Sequence, residues 1–493
     1  MLVRNVVPPA RPRPGRGRRA KAPRRAGGSP TPPRNVNQPM QWKKYHAILL
    51  ELMDHVDGRA ITDGEVPVDN RYHKDKIFTP EELSHLTPDH IYRFFAKKVY
   101  GREDPGVDDN PTEGRSTTLC YYKKAISFFM PNKLSKWTVI AGVASGNPTK
   151  SQEINDLIAA VIRKETRGIG VVPSMDRPLT KNEFHQALAL IARNGNLIGR
   201  LRCLAMIKFQ FHLICRNDDT AHVTKDTLKR SPQFPQFLTV KMKWSKNVRE
   251  ERDCPNQIIL ASMDYTSCAV LGLALFLEKW SKDTTTTGAS SQWLFVEGST
   301  DRTSELAAAE KEIMKGKNQY AAFLKKHVFE SEVEGAFVRD QVEGRLGTHS
   351  IRKFATTYAR QCGGTRDDVD YRARWKSRRQ QDRYTDTQLH WPDINTASKL
   401  CFGGVCLYKV LDGSGITDEW LAEEVAPAIN NVFDSGIAAV LAKALLWACF
   451  EPCMEDAVAP DVKRNVVGAF IRFNNRVSSN FVIPDGVNPI QRV

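Results

Sequence analysis

Residues 347–384 read GTHSIRKFATTYARQCGGTRDDVDYRARWKSRRQQDRY. His349 and Arg352 stand three apart, so on a helix both side chains share a face. Ile351, Phe354 and Tyr358 recur at three and four residues on another face, the spacing that packs against a core. Trp375 follows Arg352 by 23 residues, and Tyr384 follows Trp375 by nine. Between them lies a basic cluster of Arg372, Arg374, Lys376, Arg378, Arg379 and Arg383. Two cations, a ring N–H donor and a phenol amid this charge suggest a phosphate site with its own nucleophile. An amphipathic helix with a solvated basic face and an ordinary surface tyrosine fits the segment equally well.

The rest of the chain bears on that choice. Its 493 residues suffice for about three domains, and 41% hydrophobic content makes most of it globular. The net charge of +16 favours an anionic partner, nucleic acid first. Residues 1–34 hold ten basic and no acidic residues; removing those ten charges leaves +6 over the other 459, so a DNA surface has to be local. Residues 1–38 are rich in Arg, Pro and Gly, the composition of a disordered tail. Such a tail serves as a nuclear-localisation signal, as a DNA-clinging arm, or only to keep the protein soluble. The ten cysteines are spread without paired CxxC or HxxxH elements, so no metal site is expected, and reduced thiols filling the core are. No secretory signal is recognisable, and the longest apolar run, 436–450, carries Lys443 and is too short to span a bilayer. It reads as a buried helix in a soluble protein.

Between residues 39 and 170 the pattern is helical. Trp42, Ile48, Leu49, Leu52 and Met53 make one stripe; Thr87-Pro88 caps a second through Ile91, Phe94, Phe95 and Val99. Residues 117–130 form a third, placing Lys123 and Lys124 beside an aromatic face, and 155–164 a fourth. Residues 165–178 read as a linker. Thr180 and Glu183 have capping-box spacing, and the apolar helix 201–214 ends directly in Arg216 with Asp219 three residues on. A guanidinium there calls for an anion, either a ligand or Asp219 itself. Residues 237–260 look like a hairpin, with its turn at 245–247, Lys246 at the tip, and Lys241 and Lys243 along one strand face. Helices 265–281 and 318–328, a strand at 293–296 and a polar loop over 298–316 follow. Helices 393–402, 418–431, 434–450 and 461–474 make the last region all-helical, with apolar faces suited to core or to docking another protomer. The fold class expected is mainly α with a small β-sheet (α+β).

In chain order the unusual residues are Arg216 with Asp219, Lys246, His349, Arg352, Trp375 and Tyr384. This order and spacing resemble the tyrosine recombinase (integrase) family: R-x-x-D, a hairpin Lys in WSKNV, H-x-x-R in THSIR, the Trp of RARWKS and the Tyr of QDRYTD. The resemblance covers residues 179–400. YYKKAISFFMPN, GNPTKSQEINDLI and SKLCFGG further resemble recombinases of Crypton-type eukaryotic DNA transposons. LGTHS departs slightly from the family's L-G-H surroundings, and the region after 400 is longer than in phage-type integrases.

The resemblance implies a disordered tail (1–38), a helical core-binding domain (39–170), a catalytic domain (175–400) that closes a C-shaped clamp round duplex DNA, and a helical extension (401–493). It also implies a nuclear enzyme that cuts and rejoins DNA through a 3′-phosphotyrosine, assembles as a tetramer on two DNA sites, and needs no cofactor. Its catalytic set would be Arg216, Lys246, His349, Arg352, Trp375 and Tyr384, supported by Asp219. Lys123, Lys124, Lys241, Lys243, Arg374, Lys376, Arg378 and Arg379 would bind DNA. Two guanidiniums suit the non-bridging phosphate oxygens, His349 suits the phenol proton, and Lys246 (with Lys243 its rival) suits the leaving oxygen. Tyr371 is a weaker rival to Tyr384. A catalytically inactive DNA-binding relative and a type IB topoisomerase-like nicking–closing enzyme are the alternatives.

Overall fold

The computed structural model describes residues 38–62, 68–172, 176–245, 254–287, 292–296, 306–330, 337–340, 344–375, 393–476, 483–484 and 486–493. The chain divides into two compact units, Met1–Pro173 and Ser174–Val493. Helices dominate both, with a few small antiparallel sheets, so the chain is mainly α with a small β component. Among the described residues no helix is long and apolar enough to cross a membrane.

The first unit packs four long helices, α1 (Gln38–Val56), α2 (Pro88–Tyr100), α3 (Ser116–Phe129) and α4 (Gln152–Thr166), with a single-turn helix at Pro80–Ser84 beside them. Their apolar residues recur at three and four positions, so each buries one stripe. Ile48, Leu49, Leu52, Ile91, Phe94, Phe95, Val99, Leu119, Ile126, Ile154 and Val161 meet in a single core. Each such side chain is worth about 1.5–3 kcal/mol when fully buried. Thr87 caps α2 by accepting from the His90 N–H at 3.3 Å, with Pro88 at the first helical position. At the start of α3 the Ser116 N–H and hydroxyl donate to Glu165 near the end of α4, at 2.8 and 2.7 Å. Between α3 and α4 stands a hairpin of β1 (Thr138–Ile140) and β2 (Val143–Ser145).

The second unit begins with α5 (Lys181–Arg193), whose Thr180–Glu183 capping box forms as its spacing requires. Glu183 also receives Arg177 in a bidentate buried pair at 2.6 and 2.7 Å. Next come α6 (Leu197–His212), the single-turn α7 (Asn217–Ala221), and a sheet of β3 (Leu228–Arg230), β4 (Leu238–Lys241) and β5 (Asn256–Ile259). The sheet is antiparallel, with Leu228 opposite Val240 and Leu238 opposite Ile259. Helices α8 (Ala269–Thr287), α9 (Leu306–Leu324), α10 (Thr348–Gln361), α11 (Arg366–Arg372) and α12 (Asp393–Lys399) follow. Farther on lie α13 (Ser435–Phe450) and α14 (Pro460–Arg476).

Several expectations need correction. The two strands of the expected hairpin pair from Leu238 opposite Ile259 to Lys241 opposite Asn256, and the turn residues Lys246 and Asn247 lie outside the described residues. The polar stretch expected to be a loop is helical from Leu306 onward, because its Ala, Glu and Lys residues are strong helix formers. Residues 293–296 form no strand; Trp293 makes one isolated bridge with Thr224. The region after 400 is not all-helical: Val405–Cys406 pairs with Ala261–Ser262, and Tyr408–Val410 pairs with Ile490–Arg492. It is not a separate extension either. Helix α13 is buried on all sides between α8 and the final helices, and Ile437, Leu441, Leu445 and Leu446 share one core with Phe209, Phe211, Leu273, Phe276 and Ile351. Lys443, its one cation, reaches Asp418 at 2.8 Å. Seven of the ten cysteines are buried, which fits core filling.

Candidate active site

Helix α6 is apolar almost throughout and ends in a sharp reversal. Ile214 takes a left-handed conformation (φ 47), strained for a β-branched residue, and turns the chain so that Cys215 N–H donates to Gln210 O at 3.1 Å. Arg216 is thereby placed at the N-cap position of α7, its backbone N–H donating to Asp219 Oδ2 at 3.0 Å. That bond fixes the carboxylate, which is 1% exposed.

Three guanidiniums converge on this one oxygen. Arg352 Nη1 lies 3.3 Å from Asp219 Oδ2, Arg374 Nη2 at 3.5 Å and Arg216 Nη1 at 3.9 Å. Among the described residues, Arg216 Nη1, Arg374 Nε and Arg374 Nη2 are buried without a hydrogen-bond acceptor. The group carries a net charge of +2 and is largely shielded from solvent, with Arg216 half-buried, a state that favours an incoming anion. Arg352 registers the crowding: burial, then Arg374 and Arg216, pull its pKa down from the usual guanidinium range to about 10.

Each cation is held by a different part of the second unit. Arg352 comes from α10, where Nη2 donates to Ala373 O at 2.8 Å and its guanidinium carbon sits 5.5 Å from the centre of the Trp375 ring. The start of α10 is tied to α6 by Gln210, which donates to Thr348 O at 2.9 Å and accepts from Tyr320 at 3.1 Å. Arg374 also has a left-handed backbone (φ 56), and its Nη1 donates to Gln257 on β5, to Arg372 O at 3.1 Å and to Leu213 O at 3.4 Å. Arg372 braces the same turn from within the core. It donates to His212 O and Ile258 O, both at 2.9 Å, and pairs with Asp393 at 2.7 Å.

His349 and Trp375 stand at the open edge of this group, His349 exposed and Trp375 36% exposed. Partial burial, chiefly, and the charges of Arg216, Arg352 and Lys353 hold the imidazole below 6.5, against an opposing pull from Asp176. It is therefore neutral near pH 7 and able to accept a proton. Buried Cys215, its thiol pushed up to about 11 by burial, stays protonated beside the cations.

The expected site thus assembles in part. Arg216, Asp219, His349, Arg352 and Trp375 come together; Lys246, Tyr384, Lys376, Arg378 and Arg379 lie outside the described residues. Arg374 needs correction as a DNA-surface residue. Its side chain is 1% exposed because it is drawn inward by Asp219 and Gln257, and it joins the pocket as a third guanidinium. Arg372, from the same basic cluster, is fully buried. Lys243 is exposed but paired with Asp226 at 2.6 Å, and Lys241 is half-buried at the end of β4. Tyr371 is half-buried on α11. In the first unit, Lys123 donates to Asn155, and together with exposed Lys124 and with Lys150 it lines a cavity of about 300 Å³.

One link was not read from the sequence. Trp244, two residues before Lys246, stacks on His222 with ring centres 3.5 Å apart and planes 3° apart. His222 closes α7, so Trp244 is anchored on the helix that Arg216 opens. Compared with known proteins, the sequence matches no family model and no curated protein.

Proposed function

We propose that this protein is a tyrosine recombinase, cutting and rejoining duplex DNA through a 3′-phosphotyrosine in the manner of a transposon or integration enzyme. The observation that carries the reading is the trio of half-buried Arg216 and buried Arg352 and Arg374 around the single carboxylate Asp219. A scissile phosphate supplies the missing negative charge, and planar guanidinium forks suit its two non-bridging oxygens.

The chemistry follows from that placement. Tyr384 supplies the nucleophile, and neutral His349 takes its proton. The phenolate oxygen bonds to phosphorus as the P–O5′ bond breaks, and Lys246 returns a proton to the leaving O5′. The trio stabilises the charge that builds on the phosphate, where one preorganised donor is worth roughly 10²–10³ in rate, and acid help adds about 10²–10⁴. Attack by a 5′-hydroxyl from another strand reverses the step and reseals the DNA. Tyr384 lies nine residues from both Trp375, which packs on Arg352, and Asp393, which pairs with Arg372. Nine residues span up to about 30 Å, a length sufficient for Tyr384 to be delivered to the pocket. Assembly of several protomers on two DNA sites, and action in the nucleus directed by the basic tail, belong to the same reading.

The test is covalent trapping. The protein is incubated in EDTA with nicked duplex from the ends of its own element, and a denaturation-resistant adduct is sought. The adduct is expected to vanish with Tyr384→Phe and survive Tyr371→Phe. DNA binding without an adduct on any nicked substrate sinks the enzymatic reading and leaves a binding protein.

A further inference from the structure

The hairpin of the first unit presents an unusual surface. Every residue of β1 and β2 is exposed, with Val139 at 62%, Ile140 at 71% and Val143 at 69%, and Leu134 near its root reaches 83%. A lone two-stranded ribbon is marginal in water, and apolar side chains at its tip make it more so. Ile140 pairs with Val143, leaving Ala141 (φ 50) and Gly142 (φ 81) as a two-residue turn of the kind that suits strand twist.

The root is rigid. Fully buried Asn147 donates to Ser127 Oγ of α3 at 2.8 Å and to Lys133 O at 3.2 Å, and Lys150 donates to Leu134 O at 3.0 Å. Gly146 (φ 106) lets the two chains close there; a Cβ would lie 2.0 Å from Lys136 O. Residues 131–151 contain Lys133, Lys136 and Lys150 and no Asp or Glu. The cavity shared by Lys123, Lys124 and Lys150 adds two more cations beside the root. An apolar tip on a basic, acid-free base fits a partner with an anionic shell and an apolar interior. Stacked base pairs inside two phosphate backbones have that construction. β-Ribbons enter DNA grooves, and apolar wedges part base steps.

We propose that the 138–145 ribbon is a DNA wedge: Ile140 and Val143 insert between base steps while Lys133, Lys136 and Lys150 hold the flanking phosphates, kinking the bound duplex. This inference rests on the DNA reading above and adds that the target is deformed.

The full chain is tested on a mixed-sequence duplex carrying a dye at each end and 2-aminopurine beside pyrimidine–purine steps, the steps easiest to unstack. Anisotropy reads binding, energy transfer reads bending, and 2-aminopurine emission reads unstacking. The wild type is expected to kink the duplex by roughly 20–90° and raise the emission. Ile140→Ser with Val143→Ser is expected to abolish both signals. Its affinity should fall by about 10–1000-fold, the scale of two apolar side chains, with the salt slope unchanged because the lysines remain. Both positions are exposed, so an unchanged urea midpoint checks that the variant is folded. Binding without a kink, or a kink that survives in the variant, overturns the wedge while leaving the DNA reading in place. Absence of duplex binding at low salt overturns both. Binding instead to phosphatidylserine vesicles that is lost in the same variant reassigns the ribbon to a membrane surface.

Discussion

Replacing Asp219 by Asn tests the charge arrangement at its centre. The amide keeps an oxygen for the Arg216 N–H, so the α7 cap is retained and only the charge is lost. Three cations then face one another without compensation at distances set by the present contacts of 3.3, 3.5 and 3.9 Å. At an effective dielectric of 20, each contact is worth about 4–5 kcal/mol before desolvation and relaxation. Removing one partner from a buried pair costs about 3–5 kcal/mol in measured cases, and that is the expected loss for this unit. Urea unfolding followed by circular dichroism should show the transition of Ser174–Val493 moving to lower denaturant while that of the first unit stays in place. Sulfate should restore the variant more than it stabilises the wild type, because the pocket charge rises from +2 to +3. Saturation at a hundred times the dissociation constant recovers about 2.7 kcal/mol. A midpoint equal to wild type, or sulfate stabilisation equal in both proteins, refutes the anion-pocket reasoning.

Arg352→Lys keeps the charge but removes the planar fork and the contact with Trp375; adduct formation should drop by roughly 10²–10³, and a loss under about fivefold contradicts the assigned role. The pH profile of kcat/KM reports the free enzyme. Because His349 must be neutral to accept a proton and is held below 6.5, the rate should rise on an acid limb centred below 6.5 and level off by neutrality. His349→Gln should remove that limb; a limb centred higher argues against His349 as the acceptor. Leu445→Ala empties a fully buried position on α13 and should cost about 2–5 kcal/mol of second-unit stability. A cost below about 1 kcal/mol means that the helix is not integral to the core.

What was legible in the sequence was mostly local. Thr87-Pro88 and the Thr180–Glu183 box could be read because a cap depends on residues three apart. The stripes through Phe94 and Leu52 declared their buried faces by period alone. Arg216, Asp219, His349 and Arg352 could be singled out by residue type and spacing. Their convergence was not visible, because it depends on contacts such as Arg352–Asp219 across 133 residues. Arg374 shows the limit most plainly. A cation in a basic run reads as surface, and nothing in R-A-R-W shows that this arginine adopts a left-handed backbone and turns inward. Loop 298–316 was misjudged for a related reason, since polarity was weighed above the helix propensity of LAAAEKEIMKGK. The last region looked detachable because its apolar faces do not name their partners.

The packing of α13 on α8, which itself packs on α6, sets an order in time. Synthesis runs from the N-terminal end at about 5–20 residues per second, so Arg216 and Arg352 leave the ribosome well before 435–450 are made. Until those residues arrive, the side of α8 that α13 covers is open. Arg492 adds a late fastening, donating to Ser262 O at 2.8 Å and lying 4.6 Å from the Trp447 ring centre. A nascent or prematurely stopped chain can therefore carry every residue of the pocket and still lack part of the core that its unit shares.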